Sequence, residues 1–185
     1  MRIYDTPGPA NTAETLRLAL DCAQERGLDL VVASSSGQTA LTLLDLAKET
    51  AFPHRIVVVR HVYGMHAPGE NDMPQDVYDQ LVAQGVPVVT AAHALSGGER
   101  GLSNQFGGVS PVEVMAATLR MLGQGTKVCV EIALMALDHG SISYGKPVVA
   151  VGGSAHGADT ACVLTPGYTA HLLDTKVHEI LCKPY

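Results

Sequence analysis

The stretch Val31-Val32-Ala33-Ser34-Ser35-Ser36-Gly37-Gln38-Thr39-Ala40 decides the fold of this chain. A β-branched run leads into three hydroxyls and a glycine, and a helical pattern begins immediately afterwards. Such a strand–loop–helix junction directs several backbone N–H groups to one point, where the helix dipole adds about half a positive charge. The junction predicts a phosphate site. A helix capped by Ser36, with the other serines solvated, is the alternative interpretation.

Strands and helices alternate along the rest of the chain. Residues 29–34, 56–59, 87–90 and 147–151 are short apolar runs typical of buried strands. Helical patterns follow Asn11, Gly37, Pro74 and Ser110, and a further helix is predicted over residues 126–139. Asn11 with Glu14 and Ser110 with Glu113 have the spacing of capping boxes. The alternation predicts a three-layer, doubly wound α/β fold with a mainly parallel sheet.

Three segments depart from this alternation. Residues 91–108 contain five glycines and no sustained periodicity, and are predicted to be a long functional loop. Residues 158–164 follow the preceding strand after only a short turn, which predicts one antiparallel strand. Residues 178–181 are expected to form a final strand.

Composition excludes several classes of protein. The chain has 185 residues and a net charge of −6, with only 12 lysines and arginines, which argues against nucleic-acid binding. No apolar run is long enough for a membrane span, and the N-terminus lacks a signal peptide. The four cysteines are scattered, which indicates reduced thiols, and Cys129 is expected to be a small core residue. We therefore expect a single cytoplasmic domain over residues 1–185.

Four polar loops are predicted to meet at one edge of the sheet. They comprise residues 34–39, 60–70, 91–108 and 152–160, and each follows the carboxyl end of a predicted strand. Ligands of open α/β sheets bind at that edge. The convergence strengthens the prediction of a small-molecule site.

The order of these motifs resembles the C-terminal α/β domain of pyruvate kinase. The resemblance rests on residues 31–40, the strand at residues 56–59, Lys146-Pro147-Val148-Val149-Ala150-Val151-Gly152-Gly153, and the return through Asp159-Thr160-Ala161-Cys162-Val163. The whole chain looks like the small stand-alone archaeal and bacterial proteins of that fold. Because no catalytic barrel is encoded here, the resemblance implies no pyruvate kinase activity.

The resemblance also implies a ligand. In the stand-alone group the equivalent pocket is associated with flavin mononucleotide (FMN), and the phosphate cradle would comprise Ser34, Ser35, Ser36, Gly37 and Thr39. The insertions at residues 60–70 and 91–108 depart from the pyruvate kinase pattern and argue against a sugar bisphosphate. The candidate cofactor-binding residues are Ser34, Ser35, Ser36, Gly37, Gln38, Thr39, His61, Gly64, Met65, Gly152, Gly153, Ser154, His156, Asp159 and Thr160.

Other residues receive plainer interpretations. The loop histidines are expected to be solvated or hydrogen-bonded, and their spacing is no metal signature; any acid–base chemistry would fall to His66 or His93. Glu99 and Arg100 are expected to form a solvated pair, with Arg100 as an anion contact in the alternative. Glu131 is expected at the surface or a subunit contact.

The sequence contains neither a nucleophile–base pair nor a dinucleotide-binding motif. Ser154 and His156 lie too close in sequence for a nucleophile–base pair, and no Gly-x-Gly-x-x-Gly motif follows the first strand. The nearest candidates to stack on a flavin ring are Tyr63, Met65 and Phe106.

Three hypotheses of function follow. The first is a protein that binds FMN or a similar phosphate ligand. The second is an enzyme that uses the flavin for redox chemistry or acts on a phosphorylated metabolite. The third is a regulatory module whose ligand changes its self-association, so a homo-oligomer is a possible state. No catalytic residue is assigned.

Overall fold

The computed structural model of the chain describes residues 1–185, which form one seven-stranded sheet between two layers of helices. The strands are β1 (Arg2–Tyr4), β2 (Asp29–Ala33), β3 (Ile56–Arg60), β4 (Val88–Thr90), β5 (Val148–Gly152), β6 (Thr160–Thr165) and β7 (Lys176–Pro184). The helices are α1 (Thr12–Arg26), α2 (Gln38–Glu49), α3 (Gln75–Ala83), α4 (Gly97–Phe106), α5 (Pro111–Arg120) and α6 (Gln124–Asp138). Two short 3-10 turns lie at Pro9–Asn11 and Thr169–Asp174.

The sheet has the order β1-β7-β6-β5-β2-β3-β4. Only β6 runs against the others: it pairs antiparallel with both β5 and β7, while the remaining pairs are parallel. The predicted α/β class, the mainly parallel sheet and the single antiparallel strand are thereby confirmed.

Each face of the sheet buries its own apolar core, because successive strand residues point to opposite faces. Val32 and Val58 face α1, α2 and α3, whereas Val31 and Val57 face α6 and part of α5. Helix α6 is buried along nearly its whole length, which explains its continuous apolar sequence. The sheet is covered on both sides, as a parallel sheet requires.

Helix ends support part of the predicted capping. Ser110 and Glu113 form the expected capping box, and Glu113 also accepts a hydrogen bond from the Ser103 hydroxyl at 2.6 Å. The hydrogen bond from Ser103, followed by that from the Ser110 backbone, lowers the pKa of Glu113.

The capping box predicted at Asn11 is wrong. The Asn11 amide instead donates to the Thr6 carbonyl at 2.7 Å, and Glu14 forms an ion pair with Arg2. The preceding 3-10 turn carries the chain into α1 without a side-chain cap.

Two elements escaped prediction. Strand β1 has only three residues and pairs with β7 from the far end of the chain. Helix α4 lies within the segment predicted as loop, although it contains Gly97, Gly98 and Gly101, which disfavour helices. Because α4 buries none of its own residues, contacts with α5 such as the Ser103–Glu113 hydrogen bond support it.

All four cysteines are buried and none is paired in a disulfide. Cys129 is fully buried between α6 and the sheet. No helix combines the length and apolar character that crossing a membrane requires.

Candidate functional site

The loop that joins β2 to α2 is anchored by Ser34. The Ser34 N–H donates to the Val59 carbonyl at 3.0 Å, and the Ser34 Oγ accepts a hydrogen bond from the Ala40 N–H at 3.1 Å. Ser34 is buried, whereas Ser36 is exposed and makes no capping hydrogen bond. The alternative in which Ser36 caps the helix is therefore wrong: Ser34 supplies the side-chain acceptor.

The backbone of the same loop presents a row of free donors. The N–H groups of Ser35, Ser36, Gly37, Gln38 and Thr39 form no hydrogen bond with another group of the protein. Consecutive free N–H groups at a helix N-terminus form a concavity suited to an anion. We refer to residues 34–39 as the serine loop.

Gly37 gives the loop its shape. Its φ of +88° lies in the left-handed region, and a Cβ at this position would lie 2.3 Å from Val77 Cγ1 of α3. Glycine is therefore required both by the backbone conformation and by the close approach of α3. The serine loop is held against a packed helix.

The serine loop forms one wall of a cavity of about 1080 Å³. The carboxyl ends of β2, β3 and β5 and the segment after β4 all contribute, through Ser34, Arg60, Gly153 and His93 respectively. The volume lies just above the range of about 300–1,000 Å³ that is usual for small-molecule sites. The four polar loops expected at one sheet edge do meet there.

Eleven of the fifteen candidate residues line this cavity. They are Ser34, Ser35, Ser36, Gln38, Thr39, His61, Gly64, Met65, Gly153, Ser154 and His156. Gly37, Gly152, Asp159 and Thr160 do not line it.

Asp159 and Thr160 have structural partners instead. Both are fully buried: one carboxylate oxygen of Asp159 accepts from the Gly8 N–H at 3.0 Å, and the other accepts from the Thr160 hydroxyl at 2.8 Å. Gly125 at the start of α6 packs so closely that a Cβ there would lie 2.0 Å from Thr160 Oγ1. These residues join the N-terminal segment and α6 to β6.

Four cationic side chains also line the cavity, and of these the sequence indicates only Arg100 as an anion contact. Arg60 ends β3, Arg100 lies on α4, Arg120 ends α5 and Lys127 lies on α6. Each of the four residues lies on a different element, so no local sequence motif predicts that they come together. Because Glu131 is the only acidic residue in the lining, the cavity favours anions although the whole chain is acidic.

Arg60 is the cation most firmly held. It is buried, its Nε donates to Thr90 Oγ1 at 2.7 Å, and its guanidinium lies 4.2 Å from the centre of the Tyr78 ring. Its Nη1 is buried and has no hydrogen-bond partner in the protein. A buried donor without a partner is costly, so a ligand oxygen would satisfy it.

The expected surface position of Glu131 is wrong. Glu131 is buried, forms an ion pair with Lys127 one helical turn earlier, and accepts a hydrogen bond from the Leu95 N–H at 2.9 Å. Burial lowers the pKa of Lys127, although Glu131 opposes that shift. The i, i+4 spacing of the pair within an apolar helix is the sequence signal that indicates it.

The remaining candidates are divided between the cavity and the surface. His61 and His93 line the cavity with ring centres 5.4 Å apart, whereas His66 does not. Burial lowers the pKa of His93, which favours its neutral form.

Of the proposed stacking residues only Met65 lines the cavity; Tyr63 and Phe106 are exposed and lie outside the lining. Arg100 lines it without an ion pair to Glu99.

The fold and the cavity together define an α/β domain with a polar cavity at the carboxyl edge of its sheet. Residues 13–164 match the family described as pyruvate kinase, alpha/beta domain, and the chain belongs to that family. The matched range includes β2 to β5, the serine loop and all four cationic residues of the cavity.

Proposed function

We propose that the cavity binds a phosphate-bearing small molecule and that this ligand is FMN. The observation that carries the proposal is the row of five free N–H groups at residues 35–39, because four of these residues line a cavity that is also lined by four cationic side chains. The phosphate would lie on the serine loop, and the unpartnered Nη1 of Arg60 adds a charged donor in the same lining.

The energetics of such a complex are reasonable. A hydrogen bond to a charged group contributes about 1.5–3 kcal/mol, and micromolar affinity requires about 8 kcal/mol in total. Four or five bonds from the serine loop, reduced by the desolvation of the phosphate, supply part of that total. The rest would come from burial of a ring system at about 25 cal/mol per Å².

The cavity also offers an apolar surface for a ring. Val128, Ile132 and Met135 of α6 line one side, and Met65 lies on the loop after β3. No aromatic side chain other than histidine lines the cavity. A flavin ring would therefore pack against aliphatic and methionine side chains.

Titration with FMN and with riboflavin tests the proposal, since riboflavin has the same ring system without the phosphate. We expect FMN to bind with micromolar affinity, with a change in flavin fluorescence, and riboflavin to bind at least about tenfold more weakly, a difference of 1.4 kcal/mol. Failure of both flavins to bind would reject FMN as the ligand. Equal affinities would reject the serine loop as the phosphate site.

A phosphorylated metabolite with two anionic groups is the second candidate ligand. The observation that favours it is that Arg60, Arg100 and Arg120 come from three separate elements, in addition to Lys127, whose charge Glu131 balances. Three unbalanced arginines supply more positive charge than one phosphate needs. Such a ligand would displace FMN in competition, and turnover of it would make the protein an enzyme.

Ligand-dependent self-association is the third hypothesis from the sequence. Helices α4 and α5 carry exposed apolar side chains, among them Leu102, Phe106 and Val114, while Arg100 of α4 lines the cavity. A change in oligomer size when FMN binds, measured by light scattering, would support a regulatory role.

A further inference from the structure

Three potential metal ligands meet in the segment between β3 and α3. Asp72 Oδ2 lies 2.5 Å from His61 Nδ1 and 3.3 Å from His66 Nε2. One ligand atom from each of the three residues lies within 4.8 Å of the other two. The five-residue spacing of the histidines does not predict this cluster, because Asp72, whose carboxylate lies between the two rings, comes later in the sequence.

The backbone around the cluster is fixed by its own hydrogen bonds. The Asn71 side-chain NH₂ donates to the His61 carbonyl at 2.7 Å, and Asn71 Oδ1 accepts a hydrogen bond from the Met73 N–H at 3.0 Å. Met73 is buried in the core beside α3. A bond from the Gly64 N–H to the Glu70 carbonyl closes the loop that carries His66. His61 and Asp72 are therefore held side by side, and the loop brings His66 back to them.

The donor set is suited to a divalent transition-metal ion. Two imidazole nitrogens and one carboxylate oxygen are ligands of zinc and of its neighbours in the first row. At tetrahedral angles, metal–ligand bonds of about 2.0–2.1 Å place neighbouring ligand atoms about 3.3 Å apart. The His66–Asp72 separation already has this value, and the His61–Asp72 pair would need to open by less than about 1 Å.

We propose that His61, His66 and Asp72 bind one divalent transition-metal ion of the zinc class. Three protein ligands leave a coordination position for water or another ligand, as in catalytic rather than structural zinc sites. Because His61, Gly64 and Met65 line the cavity, the ion would lie at the rim of that cavity. The proposal goes beyond phosphate binding and does not depend on it.

The surroundings of the cluster are compatible with an exchangeable ion. His66 has 73% of its side chain exposed and Asp72 has 22%, so an ion can enter from solvent. The His93 ring centre lies 5.4 Å from that of His61, on the cavity side.

Zinc titration of the tag-free chain, after treatment with a chelator, tests the proposal. We expect one Zn²⁺ per chain by calorimetry with micromolar or tighter affinity, and Co²⁺ in the same site should give the absorption spectrum of a cobalt ion with nitrogen and oxygen ligands. Loss of an outer-shell partner alone weakens metal binding about 10–100-fold, so His66→Ala and Asp72→Asn should each reduce affinity by at least about tenfold. His171→Ala is the matched control, since His171 is an exposed histidine away from the cavity.

Two results would overturn the proposal. One is the absence of stoichiometric zinc uptake by the unaltered chain, which would identify the cluster as a hydrogen-bonded His–Asp–His group only. The other is equal zinc affinity in His66→Ala, Asp72→Asn and His171→Ala, which would assign uptake to scattered surface histidines. Because the probe is the metal alone, neither result bears on FMN binding.

Discussion

The side-chain oxygen of Ser34 accepts a hydrogen bond from the backbone N–H of Ala40 at 3.1 Å. This bond satisfies one donor of the first turn of α2 and leaves the N–H groups of residues 35–39 without partners in the protein. The serines thus have separate tasks. Ser34 stabilises the helix start, while its neighbours present donors to the cavity.

Ser34→Ala should destabilise the fold by about 1 kcal/mol, the usual effect of removing a side chain that caps a helix. Urea denaturation measures the loss. Ser36→Ala is the control, because Ser36 is exposed and forms no capping bond. Equal stability of the two variants would contradict the role given to Ser34.

Gly37→Ala should be more damaging than Gly85→Ala. Both glycines have positive φ, at +88° and +74°, so both variants incur the left-handed cost of about 1–2 kcal/mol. Only at Gly37 would the added Cβ meet a neighbour, Val77 Cγ1 at 2.3 Å, which adds a packing cost of about 1–3 kcal/mol. Thermal denaturation of the two variants gives the comparison, and FMN affinity should fall only in Gly37→Ala. Equal losses of stability in the two variants would show that α3 moves to accommodate the added Cβ without a packing cost.

Sequence patterns predicted the elements whose signals are local. The β-branched runs of β2, β3 and β5 and the apolar periodicity of α1, α2 and α6 all correspond to observed elements. Strand β1 escaped prediction because its three residues become a strand only by pairing with β7. Helix α4 escaped because its glycines oppose a helix that contacts with α5 support.

The parts of the candidate site that could be predicted are likewise those encoded by a contiguous stretch of sequence. The serine loop is contiguous, so its sequence reveals it, and the loops at the carboxyl edge follow from the strand order. Arg60, Arg120 and Lys127 are single residues on different elements, and only the tertiary structure brings them to one cavity. Asp159 and Thr160 lie near the edge in sequence, but their side chains bond to each other and to the N-terminal segment.

Lys127→Met should destabilise the protein by about 3–5 kcal/mol, because it leaves the Glu131 carboxylate buried without its partner. The double variant Lys127→Met/Glu131→Gln should recover part of this loss, since glutamine keeps an acceptor for the Leu95 N–H without a charge. Urea denaturation of both variants measures the difference. A double variant less stable than the single one would contradict this account of the pair.

The ionisation of Tyr4 should make the stability of the protein depend on pH in the alkaline range. Burial, the largest cause, raises the pKa of Tyr4 above its usual value of about 10, and the Thr15 hydroxyl donates to its oxygen at 3.0 Å. The folded state therefore retains a proton that the unfolded state releases, so this stability is complete below pH ~10 and is lost as the pH rises above that value.

In Tyr4→Phe the stability above pH ~10 should fall less steeply, by up to about 1.4 kcal/mol per pH unit. Burial also raises the pKa values of Cys22 and Cys129, and the comparison with the unaltered chain removes their contribution. Identical slopes for the two proteins would show that Tyr4 ionises equally in both states.

The affinity of Ser35→Asp for FMN shows whether the phosphate lies on the serine loop, with Ser143→Asp as the control. Ser35 lies in the serine loop, and Ser143 is an exposed serine outside the cavity, so both variants add one negative charge. We expect Ser35→Asp to weaken FMN binding at least about tenfold, or 1.4 kcal/mol, and Ser143→Asp to bind FMN like the unaltered chain. Unchanged FMN affinity in a folded Ser35→Asp protein would contradict the assignment of the serine loop as the phosphate site.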